Sequence, residues 1–220
     1  MINETFDNIV GLGGVCQTAH QIRRYFGVEK AQVFDWFELP TESLVSVLEN
    51  NFSDFCKTEN MSVVRNGKAV MCSKYGIAHL HDFDQAKVNG NHDELIIPDL
   101  IAEVNKGNQE RFNFLINRFR SLQGNILFVR QGDGINVDYP YNSPMTPKLL
   151  DRLISALNNH FPQQTFKLLL LTSPESLDVS KYNGQVIKGN LENIYDRWEG
   201  SDQGYEDVFT QLKIKLKPSI

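Results

Sequence analysis

The chain has 220 residues, 41% of them hydrophobic and 22% charged, with a net charge of −5. This is the composition of a globular domain with one good core. The acidic balance, without clustered Lys and Arg, argues against nucleic acid as a partner. No apolar run, Leu168–Leu171 included, approaches the length of a bilayer span, so no membrane partner is expected, and the polar start MINETFDN does not read as a secretory signal. The three cysteines, Cys16, Cys56 and Cys72, are odd in number, match no paired metal spacing and point to a reducing, cytoplasmic setting.

Ile9, Val10 and Leu12 predict a buried strand over Phe6–Leu12. Gly11, Gly13 and Gly14 permit a tight, positive-φ turn after it, and Ala19, Ile22, Arg23 and Tyr25–Phe26 then recur at helical spacing. Cys16 falls in the first turn of that helix, where unpaired N–H groups and the macrodipole favour negative charge. Two readings stay open: a thiolate that attacks electrophiles, or a small apolar residue packing helix on sheet. Asp35 stands between Phe34 and Trp36, so its carboxylate is expected to be buried and paired. Thr41–Asn50 predicts a helix capped by Thr41. Ser62–Val64 and Ala69–Met71 predict a hairpin turning at Asn66-Gly67 in type I′ geometry, and Ile77–His81 a further strand. Asp82–Asp99 reads as a loop and Ile101–Leu122 as a long helix burying Phe112, Leu115, Ile116 and Phe119.

From here the pattern alternates. Gly124–Arg130, Phe166–Thr172 and Gln185–Lys188 predict strands, Gly132–Ser143 a loop, and Thr146–Phe161 and Tyr205–Leu216 helices. Thr146 can cap its helix and Pro147 suits the first helical position. Continuous apolar strands between amphipathic helices imply a parallel sheet covered on both faces. The expected fold is one α/β domain over residues 1–220: Rossmann-like, three-layered, mainly parallel, with a small β-hairpin insert.

Ligands of such a sheet bind beyond the carboxyl ends of the strands. Cys16, His81, Asp82 and Arg130 all fall at predicted strand ends. A nucleophilic cysteine needs a base, for which His81 is the candidate, and a group fixing the imidazole. Asp35 is the first choice for that role and Asp82 the second, because neighbours on an extended chain point apart. Backbone donors at Gly13, Gly14 and Cys16 could hold an oxyanion, or the phosphate or carboxylate of a small molecule bound without hydrolysis. The Gly-Leu-Gly-Gly turn is not a full dinucleotide fingerprint and not a P-loop. A metal-dependent alternative uses His79 and His81, two apart on a strand, with Asp82 and Asp84 following; that ligand set is incomplete and no cofactor is expected.

The segments FDNIVGLGGVCQTAHQIRR, VFDWF, KYGIAHLHDF, INRF and NILFVR, in that order, resemble a bacterial family labelled "putative papain-like cysteine peptidase" over about Phe6–Thr172. Matching positions are Leu12-Gly13 with Cys16, Phe34-Asp35-Trp36, His81-Asp82-Phe83, Arg118-Phe119 and Phe128-Val129-Arg130. The resemblance implies a thiol hydrolase with Cys16 as nucleophile and His81 as base, acting on a peptide or small-molecule substrate. A papain fold would place an antiparallel β region after the cysteine helix, where the alternation here predicts parallel strands and helices. Arg118 and Arg130, if they reach the strand ends, would suit an anionic group on that substrate.

Overall fold

The computed structural model describes residues 3–131, 145–191 and 198–218; the loop predicted over 132–143 lies outside them. In chain order the elements are β1 (Thr5–Phe6), β2 (Asn8–Gly11), α1 (Cys16–Phe26), β3 (Phe37–Glu38), α2 (Thr41–Glu49), β4 (Met61–Val64), β5 (Ala69–Cys72), β6 (Ile77–His79), α3 (Ile101–Arg120), β7 (Asn125–Gln131), α4 (Pro147–His160), β8 (Thr165–Leu171), β9 (Val186–Gly189), α5 (Asp202–Gln211) and β10 (Lys215–Leu216). Strands β2, β7, β8 and β9 form one parallel sheet in that spatial order, and β1 pairs in parallel with β10.

Alternation along the buried strands builds two cores. Leu127, Val129, Leu169 and Leu171 pack with Ile22 of α1 and Tyr205, Val208 and Phe209 of α5. Ile126, Phe128, Leu168 and Leu170 pack with Leu150, Leu153 and Leu157 of α4, and with Leu44 and Leu48 of α2. Each such buried Leu or Phe contributes about 1.5–3 kcal/mol, so a sheet covered on both faces follows from the sequence pattern. The Thr146 side chain caps α4 by accepting from the Leu149 N–H at 3.2 Å, and Pro147 takes the first helical position.

The middle of the chain departs from expectation. The predicted hairpin is there as β4 and β5, but it continues into β6 and β3 to make a four-stranded antiparallel sheet, ordered β3-β6-β5-β4. It is no small insert: it has as many strands as the parallel sheet, and it places antiparallel strands after the cysteine helix where the alternation predicted parallel ones. The two-residue β3 carries too little periodicity to be read from sequence. The predicted turn is present within the four-residue loop Arg65–Lys68: Arg65, Asn66 and Gly67 take positive φ angles of 54°, 53° and 91°, Gly67 N donates to Val64 O and Lys68 N to Arg65 O. The parallel strand order never doubles back among the described strands, so this sheet lacks the switch-point crevice of a Rossmann-like fold. The last helix ends at Gln211 and yields to β10, because β1 offers Lys215 and Leu216 a parallel partner. Among the described residues no helix is long and apolar enough to cross a membrane.

A buried guanidinium joins the two sheets. Arg130, at the end of β7, is 0% exposed. It donates to Leu12 O at 2.9 Å, Leu39 O at 2.8 Å and Thr41 Oγ1 at 3.0 Å. Removing the donor of two buried carbonyls and a hydroxyl costs about 1–3 kcal/mol for each group left unsatisfied. Arg130→Met is therefore expected to lower unfolding free energy by roughly 3 kcal/mol or more in urea titrations. A loss below about 1 kcal/mol would show that the sheets are joined by other means.

Candidate active site

Gly13 and Gly14 shape the turn from β2 into α1, with φ of 72° and 103°; Gly11 stays extended within its strand. A Cβ on Gly14 would come within 2.9 Å of Gln131 O, and one on Gly13 within 3.1 Å of Phe34 O. Only glycine lets the turn pass this close to β7 and to the segment before β3. Val15 precedes α1 without a side-chain cap, so the N–H groups of Cys16 and Gln17 at the helix start are left to the Cys16 thiol. Leu39 N donates to Gly14 O at 3.1 Å, and Phe37 pairs with His79 across β3 and β6. This docks the end of the antiparallel sheet beside the start of α1.

The result is a cleft of about 720 Å³ lined by Cys16, Trp36, Leu80, His81, Asp82, His92, Arg111 and Trp198. Cys16 and His81 thus open onto one space. Burial pushes the Cys16 thiol above its ordinary value, helped by the charges of Glu38 and Glu199 and opposed by the N–H groups of Cys16 and Gln17. The helix start alone had suggested a thiolate; burial outweighs it. His81 moves the other way. Burial lowers it, and His92, stacked on it with ring centroids 4.7 Å apart, adds like-charge repulsion. The nearby Asp84 and Asp82 carboxylates work against that fall.

Among the described contacts, neither carboxylate named as an orienter is hydrogen-bonded to His81. Asp35 is buried, and its Oδ2 accepts from Arg23 at 2.7 Å and from Gln32 N at 2.8 Å. The same Arg23 guanidinium lies 5.1 Å from the Trp36 ring, so Asp35 holds the Trp36 segment against α1 rather than touching His81. Asp82 Oδ2 lies 2.7 Å from His79 Nδ1, and its other oxygen accepts from Arg111. His79 and Arg111 hold Asp82 below the usual carboxylate range in spite of its burial. Neither arginine predicted to bind anions lines the cleft. Arg130 points into the core, and Arg118 donates to Ala31 O at 2.7 Å while covering Phe114. Arg111, which sequence reasoning passed over, is the cleft's guanidinium.

A second constellation was also missed. His79 Nε2 lies 3.4 Å from Cys56 Sγ, completing a buried Cys56–His79–Asp82 chain with Cys72 in contact behind it. The strand ends at His79, so His79 and His81 do not share a face: the first turns into the core and the second into the cleft. This removes the expected His79–His81 metal pair. His81, Asp84 and His92 instead bring donor atoms within 4.8 Å of one another. The buried Lys87 ammonium already sits 2.8 Å from Asp84 Oδ1 and 3.3 Å from His92 Nδ1, where a metal ion would be repelled. The His79–x–x–Asp82 spacing, read as a strand end turning back, was the one available signal.

Fold and cleft together define an α/β protein that presents a thiol and an imidazole to a shared pocket. The chain belongs to the family described as "Putative papain-like cysteine peptidase", whose model matches residues 7–175. That stretch holds Cys16 and His81 as well as Cys56, His79 and Asp82, and stops short of Trp198. No curated protein and no solved structure matches the chain.

Two titrations follow from this geometry. The His81 ring resonance should titrate below the ~6.5 of a free imidazole and move upward in His92→Asn; an unchanged midpoint would show that the stacked ring exerts no field. Burial raises Asp35 to about 6. A carboxyl raised on folding contributes most stability below its unfolded value near ~3.9 and loses that contribution as pH climbs through the folded one. The melting temperature of the wild type minus that of Asp35→Asn should therefore fall between about pH 4 and pH 7. A difference that rises over that interval contradicts the assignment.

Proposed function

We propose that the protein is a cysteine-dependent hydrolase or acyl transferase, with Cys16 as nucleophile and His81 as general base. The observation that carries this reading is their shared cleft. With the thiol raised and the imidazole lowered, both are neutral at rest. Attack is then a general-base step. His81 takes the thiol proton as sulfur bonds to the substrate carbonyl carbon, and the carbonyl electron pair moves onto oxygen. The N–H groups of Cys16 and Gln17 at the helix start stabilise that oxyanion. Collapse expels the leaving group, which takes the proton from His81. Water or another acceptor then attacks the thioester, gives its proton to His81, and the departing sulfur recovers it. Asp84 and Asp82 stabilise the transient imidazolium by charge rather than by a hydrogen bond. Asp35 is a positioning residue acting through Arg23 and Trp36. The free thiols of Cys16, Cys56 and Cys72 suit a reducing compartment.

The Cys56–His79–Asp82 chain supports a second reading, since its hydrogen bonds are the more complete. Cys56 is 0% exposed, however, and no carbonyl reaches its sulfur without the core opening. An acylation burst with p-nitrophenyl acetate separates the two. The wild type and Cys56→Ser should release a stoichiometric burst of p-nitrophenol and Cys16→Ser none, with His81→Ala slowing the burst by about 10²–10⁴-fold. A burst that survives in Cys16→Ser and vanishes in Cys56→Ser would transfer the role to the buried set.

A further inference from the structure

The chain has two tryptophans, Trp36 and Trp198, and both line the cleft that holds Cys16. Trp198 is 55% exposed, its ring meeting His20 with centroids 5.1 Å apart, so part of the indole is open to a ligand in the cleft. Indole faces attract cations through their quadrupole. Trp36 already shows this, with the Arg23 guanidinium 5.1 Å from its ring.

The charges near the two rings favour a cationic partner. Arg111 is engaged by Asp82, Lys87 by Asp84 and Arg65 by Glu38. Glu199, next to Trp198, has no ion pair among the described residues; only its backbone carbonyl is bound, by Gln21. Among the described residues this leaves the Glu199 carboxylate, adjacent in sequence to the cleft-lining Trp198, without an ion pair. The arginines that would have favoured an anionic substrate, Arg118 and Arg130, are turned away from it. The charge of Glu199 is felt at the Cys16 thiol. The volume of about 720 Å³ accommodates a small molecule or a single side chain with its flanking backbone.

We propose that the cleft selects substrates bearing a cationic nitrogen, seated against Trp36 and Trp198 and balanced by Glu199, with the reacting carbonyl directed to Cys16. This rests on the thiol-hydrolase reading for its chemistry, but the cation site stands on the aromatic wall and on Glu199, which has no ion pair among the described residues. A guanidinium, a primary ammonium or a quaternary ammonium would each satisfy it.

Binding can be read without turnover in Cys16→Ser, where tryptophan-selective fluorescence, excited at wavelengths that tyrosine does not absorb, reports only on these two rings. The probes are arginine amide, lysine amide, choline, its uncharged isostere 3,3-dimethyl-1-butanol, and butyrate. At least one cation should give a saturable change and bind about tenfold more tightly than the neutral isostere, as cation–π and charge pairing together allow. Which cation binds best identifies the source of the nitrogen. Glu199→Gln should abolish that preference, and added salt should weaken it. Equal binding of the neutral isostere, tighter binding of butyrate, or no saturable response to any cation would overturn the proposal. An acylation burst with no cation preference sinks this inference and leaves the thiol reading standing; cation binding in a protein that never acylates does the reverse.

Discussion

The arrangement of the site depends on the buried guanidinium of Arg130. Its fork of donors reaches the carbonyl that ends the β2 segment and the carbonyl just before α2, so one side chain ties the parallel sheet to the antiparallel one. Leu39, held by its carbonyl, gives its N–H to Gly14, and the strand before it pairs with β6, from which His81 emerges. Arginine suits this task because its donors are planar, fixed in direction and always charged. A lysine would offer a point charge without the fork. Cys16 lies four residues after Leu12, and His81 two residues after the His79 that pairs with Phe37, itself two residues before Leu39, so the thiol and the imidazole are both tied to groups that this guanidinium holds.

The same side chain shows where sequence reading succeeds and where it stops. The β2–turn–α1 segment, the α3 core face and the α4 cap were legible because each is written in local periodicity or cap chemistry. The charge at the end of NILFVR was legible too, but its direction was not. Charged residues at strand ends usually reach solvent or a ligand, and only tertiary contacts reveal two carbonyls aimed inward. The antiparallel sheet was half read for a similar reason, since β3 has two residues and exists only through pairing with β6. His79 and His81 were treated as one strand face. Ending the strand two residues earlier sends one ring into the core and the other into the cleft. Cys16 and His81 were visible as chemistry-bearing residues in sequence, and their shared cleft was not.

Electrostatics in the cleft run against the ion-pair picture that a cysteine at a helix start invites. Desolvation and two glutamates disfavour the thiolate, while desolvation and a stacked histidine disfavour the imidazolium. Each group alone is thereby kept neutral. Both shifts oppose proton transfer from the thiol to the imidazole, and a positive charge entering beside Glu199 would reduce that opposition at the sulfur. A cationic substrate would lower the cost of forming the thiolate as it binds, so recognition and activation would draw on the same field.

The buried Cys56–His79–Asp82 chain acquires a structural meaning in this setting. Cys56 sits in a stretch where Asn51, Phe52, Asp54 and Cys56 all have positive φ, from 50° to 59°, conformations that cost energy in residues with side chains. Surrounding bonds enforce them: Arg120 grips the Asn51 carbonyl, while Asn105 and Gln109 hold the Cys56 carbonyl. The strained loop brings its sulfur against His79, and His79 in turn fixes Asp82. Asp82 takes Arg111 on its other oxygen and gives its backbone carbonyl to Asn108. His81 is the residue immediately before Asp82, so every bond that immobilises Asp82 also limits where His81 can stand. The inner Cys-His-Asp set reproduces the connectivity of a catalytic triad without its access, and braces the loop that presents the accessible histidine.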